Sequence, residues 1–247
     1  MKCTASAVIA IAKEDIGYLE KKSGSGLDDK TANAGSGNYT KYARDLDAIE
    51  GFYNGKKQGF PWCDVFVDWC FVQAFGAEKA KALLCQPDKS YGAGVDWSAR
   101  YFKQAGRLHT GDPKAGDQIF FLDSSGEPGH TGIVTAVADG RVHTIEGNTS
   151  GETGVVDNGG GVWAKSYDLD DPKIYGYGRP DYDPEETETE EATEMRYNTL
   201  DEIPAYAKAT IQKLMEKDYL LGTATGLDLS LDMIRMFVIN DRAGLYD

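Results

Sequence analysis

The chain has 247 residues, 11% aromatic and 27% charged, and a net charge of −14. That length holds one ordinary domain plus something small. Eight of its acids fall in residues 181–194, which contain no base, and Lys and Arg cluster nowhere, so nucleic acid is not an expected partner. No run approaches the roughly 18 apolar residues of a membrane span, which argues against stable membrane insertion.

Near the N-terminus the apolar run Ala7 to Ala12 stops at Lys13, Glu14 and Asp15. It is shorter than a secretory h-region, so the reading is an amphipathic helix, Ser6 to Ile16, ended by Gly17, and no signal peptide. KKSGSGLDDKTANAGSGN then reads as a long loop. Helices are expected over Tyr39–Ile49, Cys63–Phe75 (ended by Gly76) and Asp96–Gln104. Strands follow in AGDQIFFLD, HTGIVTAV, RVHTIEGN, VWAKSYDL and IYGYGRP. Helices first and an antiparallel sheet second predict an α+β fold over residues 1–180.

DYDPEETETEEATE, residues 181–194, has no large aliphatic side chain and reads as an acidic flexible linker. Residues 195–247 then form a small helical module. Ile203, Ala207, Ile211, Leu214 and Met215 share one helical face. Ser230 is placed to cap a second helix, along which Leu231, Ile234, Phe237 and Val238 recur. Two helices make a marginal core, so docking, dimerising or binding a ligand would help the module.

Cys3, Cys63, Cys70 and Cys85 do not form a disulfide framework in a chain this long. With three histidines and no zinc-type spacing, no metal site is expected. A nucleophilic thiol must ionise near neutral pH, and both a helix N-terminus and a nearby His favour its thiolate. Cys63 sits where a helix begins, just after Pro61. Cys70 lies two turns further, among Trp69, Phe71 and Val72, and reads as packing.

The choice of base rests on strand geometry. In RVHTIEGN, Glu146 and Asn148 share a face that His143 does not. A two-residue Asp139-Gly140 turn would pair Ala138 with Arg141 and turn His130 away from Glu146. A three-residue turn, Ala138 to Gly140, pairs Val137 with Arg141 and brings His130 opposite Asn148 and diagonal to Glu146. The second register is the expectation. Cys63 is then the nucleophile, His130 the base, and Glu146 or Asn148 the group that holds the ring. The Cys63 backbone N–H and the Gln58 amide are candidate oxyanion donors.

These residues carry a family resemblance. Cys63-x-x-Phe66-x-x-Trp69, Gly116-Asp117-x-x-Phe120-Phe121, His130-x-Gly132-Ile133-Val134 and Glu146-x-Asn148 follow one another as in the CHAP family (cysteine, histidine-dependent amidohydrolase/peptidase), a papain-like branch of the NlpC/P60 group. The resemblance spans roughly residues 5 to 180. It implies amide hydrolysis in peptidoglycan, without a cofactor, by Cys63, His130, Glu146 and Asn148. The long Gly/Ser/Asn loop would line the substrate cleft. Some phage members bind calcium through an acidic loop just before the nucleophile. Here YNGKKQGFPW has no acid, so no such site is expected, and Asp45 and Asp47 read as a solvated helix face.

The C-terminal module loosely resembles an S-layer-homology module, which implies wall targeting, with homodimerisation as the other expectation. The leading reading is an endolysin of a phage or prophage, held in the cytoplasm until a holin opens the membrane and then acting on a Gram-positive wall. A secreted autolysin, a papain-like hydrolase of other amides and a non-catalytic wall-binding module are the alternatives.

Overall fold

The computed structural model describes residues 2–156, 158–184, 196–223 and 226–246. The predicted acidic linker lies outside the described residues from position 185 onward. The chain divides into two compact units, Met1–Glu185 and Glu186–Asp247.

In the first unit the described residues form five helices: α1 (Ala5–Glu14), α2 (Lys41–Asp47), α3 (Cys63–Phe75), α4 (Ala77–Leu83) and α5 (Val95–Gln104). The strands are β1 (Leu108–His109), β2 (Gln118–Leu122), β3 (Pro128–Ala138), β4 (Arg141–Thr149), β5 (Gly161–Asp168) and β6 (Ile174–Gly178). They make one antiparallel sheet in the order β1-β6-β2-β3-β4-β5. The fold is α+β, as the chain order of the elements predicts. No described helix is long and apolar enough to cross a membrane.

Helix α3 is the axis of the unit. Every residue from Cys63 to Phe71 is buried, as expected of a helix that is apolar nearly all round. It packs against α1, α2, α4, β3 and β4. Val65, Phe66, Val67 and Phe71 are fully buried, each contributing about 1.5–3 kcal/mol relative to exposure. Rigid packing of this kind fixes where the helix begins, and therefore where Cys63 sits. Side chains cap the neighbouring helices, Thr4 on α1 and Thr40 on α2.

The β3–β4 hairpin departs from the expected turn. Ala138 pairs with Arg141 across a two-residue Asp139-Gly140 turn, with both central residues at positive φ, 52° and 74°, the pattern of a type I′ turn. The register then shifts between Val134 and Ala136: Ala136 faces His143, whereas Val134 faces Thr144. This bulge inserts one residue into β3 and reverses the face parity of everything beyond it. The strand ends up in the register expected of a three-residue turn, by a different route.

Two elements were not expected. Helix α4 follows α3 after the single residue Gly76 (φ 80°). Strand β1, which no sequence signal marked, places His109 opposite Tyr177.

The second unit packs α6 (Lys208–Glu216) on α7 (Leu231–Arg242) around Ile203, Ala207, Ile211, Leu214, Leu227, Leu229, Ile234 and Val238. Ser230 caps α7, accepting from the Met233 N–H at 3.1 Å. Asp241 ties the two helices together, accepting from the Thr210 hydroxyl at 2.7 Å and pairing with Lys213 at 2.9 Å. Met215, expected on the buried face, is 39% exposed: Ile203 and Ala207 precede α6, and the face that α6 buries is Thr210, Ile211 and Leu214.

Candidate active site

Cys63 is the first residue of α3 and is 5% exposed. Trp62, directly before it, is fully buried and donates its indole N–H to Glu20 Oε2 at 2.8 Å. Its ring packs on Tyr42 with centroids 5.4 Å apart. Gly147 on β4 lets the helix approach the sheet: a Cβ there would lie 2.5 Å from the Phe66 Cβ and 2.9 Å from the Trp62 ring.

His130 and Glu146 meet on the face that the bulge aligns. His130 Nε2 and Glu146 Oε2 are 2.9 Å apart, with 1% and 0% of their side chains exposed. Two further donors hold the carboxylate. The Thr144 hydroxyl reaches Oε1 at 2.5 Å and the Tyr167 hydroxyl reaches Oε2 at 3.1 Å. Phe121 stacks on the imidazole at 5.9 Å and 28°. Gly132 leaves room for Glu146, since a Cβ there would lie 2.4 Å from its Cγ.

With Nε2 held by Glu146, the other ring nitrogen is left for the thiol. Nδ1 is buried and has no hydrogen-bond partner. Burial disfavours the charged ring, yet the interactions with Cys63 and then Glu146 outweigh it and raise the imidazole pKa from 6.5 to about 10. Nδ1 thus interacts with Cys63 without a formed hydrogen bond, and catalytic hydrogen bonds commonly tighten only when substrate arrives.

The other candidates fall into place around this pair. Asn148 is buried with φ at 54°, and its carbonyl accepts from the Gly159 N–H at 2.8 Å. Of the two groups expected to hold the ring, Glu146 is the one on Nε2. Gln58 needs correcting as an oxyanion donor. Its side-chain amide is engaged with the Thr40 backbone, Oε1 accepting at 2.9 Å and Nε2 donating at 3.0 Å, so it fastens the 54–62 segment to the start of α2. Asp45 and Asp47 are also more than a solvated face. Asp45 accepts from the Trp69 indole at 2.9 Å, and Asp47 accepts from the Lys57 and Gln58 N–H groups at 2.7 and 3.0 Å.

All four cysteines are free thiols. Burial, with Asp15 adding to it, pushes the Cys70 thiol well above the usual range, which suits packing and disfavours nucleophilic chemistry. Among the described residues no group of His, Cys, Asp and Glu is arranged to hold a metal ion.

A thiol at a buried helix start, beside an imidazole held on a sheet by a carboxylate, is consistent with a papain-like α+β domain. The family model of the CHAP domain matches residues 55–148, a span that contains Cys63, His130 and Glu146 and ends on Asn148. A CHAP domain, consistent with the NlpC/P60 superfamily, implies a peptidoglycan-related amidase or peptidase. No curated protein matched the chain. Among solved structures, the crystal structure of Ly7917 is similar at 15% identity and a TM-score of 0.42, covering 72% of this chain. The chain spans 62% of that structure's length.

Proposed function

We propose that the protein is a peptidoglycan hydrolase that cuts an amide bond by thiol catalysis. Cys63 attacks the carbonyl carbon through Sγ. His130 takes the thiol proton on Nδ1 and returns it to the leaving amine, while Glu146 holds the ring through Nε2. Water then hydrolyses the thioester, with the same imidazole as base. The Cys63 backbone N–H, in the first turn of α3 where helical donors have no internal acceptor, faces the oxyanion. The observation that carries this reading is the buried His130–Glu146 pair, whose second ring nitrogen makes no hydrogen bond while the ring interacts with Cys63.

The scissile bond is the N-acetylmuramoyl–L-alanine amide or a peptide bond of the stem or cross-bridge, which need the same catalytic groups. The finer proposal is an endolysin of phage or prophage type acting on a Gram-positive wall. In it, residues 1–180 are the catalytic domain, and the module over 195–247 targets the wall or dimerises. A second compact unit with its own core supports that division.

Cys63→Ala is expected to lower the lysis of purified peptidoglycan at least about 10⁴-fold, as loss of a covalent nucleophile does, and to leave wall binding intact. Lysis by the variant equal to that of the parent would overturn the assignment. Mass spectrometry of the digest reads the bond, since an amidase and a peptidase leave different new amines.

A further inference from the structure

Beside the Cys63 arm lies an open recess of about 270 Å³ that the proposed chemistry does not use. Its walls are Leu19 and Glu20, part of the Gly/Ser/Asn loop ending at Asn38, and residues 158–160. Its size lies below the roughly 300 Å³ at which drug-sized sites begin, so it suits one side-chain-sized group.

Each wall is hydrogen-bonded to a segment that carries the proposed catalytic residues. Glu20 accepts from the indole of Trp62, the neighbour of Cys63. The Asn38 carbonyl accepts from the Gly59 N–H at 3.1 Å, and the Gly159 N–H donates to the Asn148 carbonyl at 2.8 Å. The recess is therefore fixed to both arms of the site.

Among its polar groups, which include the Ser36 hydroxyl and the Asn158 amide, two buried acceptors stand out. Glu20 is 6% exposed, and the partner of its carboxylate is a neutral indole. Lys21 does not neutralise it: that ammonium donates to the Lys30 carbonyl at 3.0 Å and lies 4.4 Å over the Tyr18 ring. Asn38 Oδ1 is buried with no hydrogen-bond partner. Gly160 lines the carboxylate closely, and even a Cβ there would come within 3.4 Å of Glu20 Cδ. A buried carboxylate without a cation, beside an unsatisfied acceptor, is complementary to a group that only donates. A primary ammonium has three donors and no acceptor.

We infer that this recess is a specificity subsite for a primary ammonium group of the substrate peptide, with Glu20 as its charge partner and Asn38 Oδ1 as a second acceptor. The inference rests on the peptidoglycan-hydrolase reading and narrows it to amine-bearing peptide. The amine belongs either to a diamino-acid side chain or to a free peptide N-terminus.

The test is calorimetric binding of soluble lysine-type peptidoglycan fragments to the full chain carrying Cys63→Ala, with the fragment amines either native or acetylated. Acetylation should weaken binding at least about tenfold, the scale of one charge-assisted hydrogen bond. Adding Glu20→Gln, which keeps an acceptor for Trp62, should erase that difference. Equal affinity for native and acetylated fragments, absence of binding, or discrimination surviving in the Glu20→Gln protein would each overturn the subsite. Lysine-containing stem peptides acetylated at only the α-amine or only the ε-amine distinguish the two sources of the group. Cys63-dependent lysis of native wall without amine discrimination removes only the subsite. Amine discrimination without any lysis removes the hydrolase reading instead.

Discussion

Of the buried carboxylates in the first unit, Glu146 and the pair Asp64 and Asp68 are wired differently. Glu146 takes two hydroxyl donors and one titratable partner, His130, whose far nitrogen stays unbonded beside a thiol. Asp64 and Asp68, one turn apart on α3, are also fully buried, but their partners are neutral. Asp64 accepts from the Ala93 N–H, the Ser98 hydroxyl and Gln118 Nε2; Asp68 accepts from the Tyr53 hydroxyl and Gln86 Nε2. The second network is closed around the carboxylates. The first ends on an open position. A buried acid next to the candidate nucleophile is therefore not by that fact part of the site: Asp64 adjoins Cys63 in sequence yet braces α3 against α5 and β2, while Glu146, distant in sequence, holds the His130 ring.

The contrast predicts its largest effect at Glu146. Glu146→Gln keeps the volume and removes the charge that favours the imidazolium. Its kcat is expected to fall about 10²–10³-fold, in the range of mispositioned or electrostatically unsupported bases, with a smaller change in KM. The imidazole pKa should fall as well, since Glu146 is among the groups that raise it, and NMR titration of His130 reads this directly. The linkage has a definite sign. A His whose folded pKa is about 10 against 6.5 contributes stability that is fully present below about pH 6.5 and is lost as pH rises through about 10. Thermal melts of Glu146→Gln across that window should show a flatter alkaline limb than the parent. An unchanged limb together with unchanged kcat would show that Glu146 is a bystander and that the two networks are alike.

Gly132 sharpens the comparison at a smaller scale. An added methyl would lie 2.4 Å from Glu146 Cγ and 2.9 Å from the Ile145 carbonyl oxygen, one of them backbone. Gly132→Ala is expected to cost about 1–3 kcal/mol, as overpacking does, and to lower kcat about tenfold by displacing the carboxylate. Gly111→Ala, where nothing lies within 4 Å of the added atom, serves as the neutral control in the same melt and lysis assays. Equal behaviour of the two variants would mean that the packing around Glu146 yields without consequence.

Much of this site was legible in the sequence because it follows from periodicity. Alternation along RVHTIEGN separates Glu146 from His143 and places Thr144 beside Glu146. The start of the apolar helix picks Cys63 over Cys70. The β3 bulge was not legible: Thr135 carries no mark of an extra residue, and Asp139-Gly140 has the chemistry of the shorter turn that the protein does use. The expected register was right at His130 only because the bulge compensates for the mistaken turn. Tyr167 depends on the β4–β5 register, which no local signal fixes. Helix α4 was legible and missed, since AEKAKAL is composed of strong helix formers. Gln58 shows the opposite hazard, where nearness in sequence to the nucleophile suggested a role that its pairing with Thr40 does not support.

The smallest expected effect lies in the closed network. Burial first, and then the charge of Asp64, raise the Asp68 pKa well above the usual carboxylate range. A carboxyl whose folded pKa is raised contributes stability that is present below its unfolded value and lost as pH rises through the folded one. Asp68→Asn replaces an acid that favours its neutral form with a neutral amide of the same shape, so stability at mildly acidic pH should change by less than about 1 kcal/mol and kcat should stay within about twofold. What should change is the slope: the variant loses stability less steeply than the parent as pH rises above the usual carboxylate range. Chemical denaturation at several pH values, run beside the lysis assay, measures both. If Asp68→Asn instead lowers kcat as far as Glu146→Gln does, then α3 transmits the state of its buried acids to Cys63, and the division between a catalytic and a bracing network is wrong.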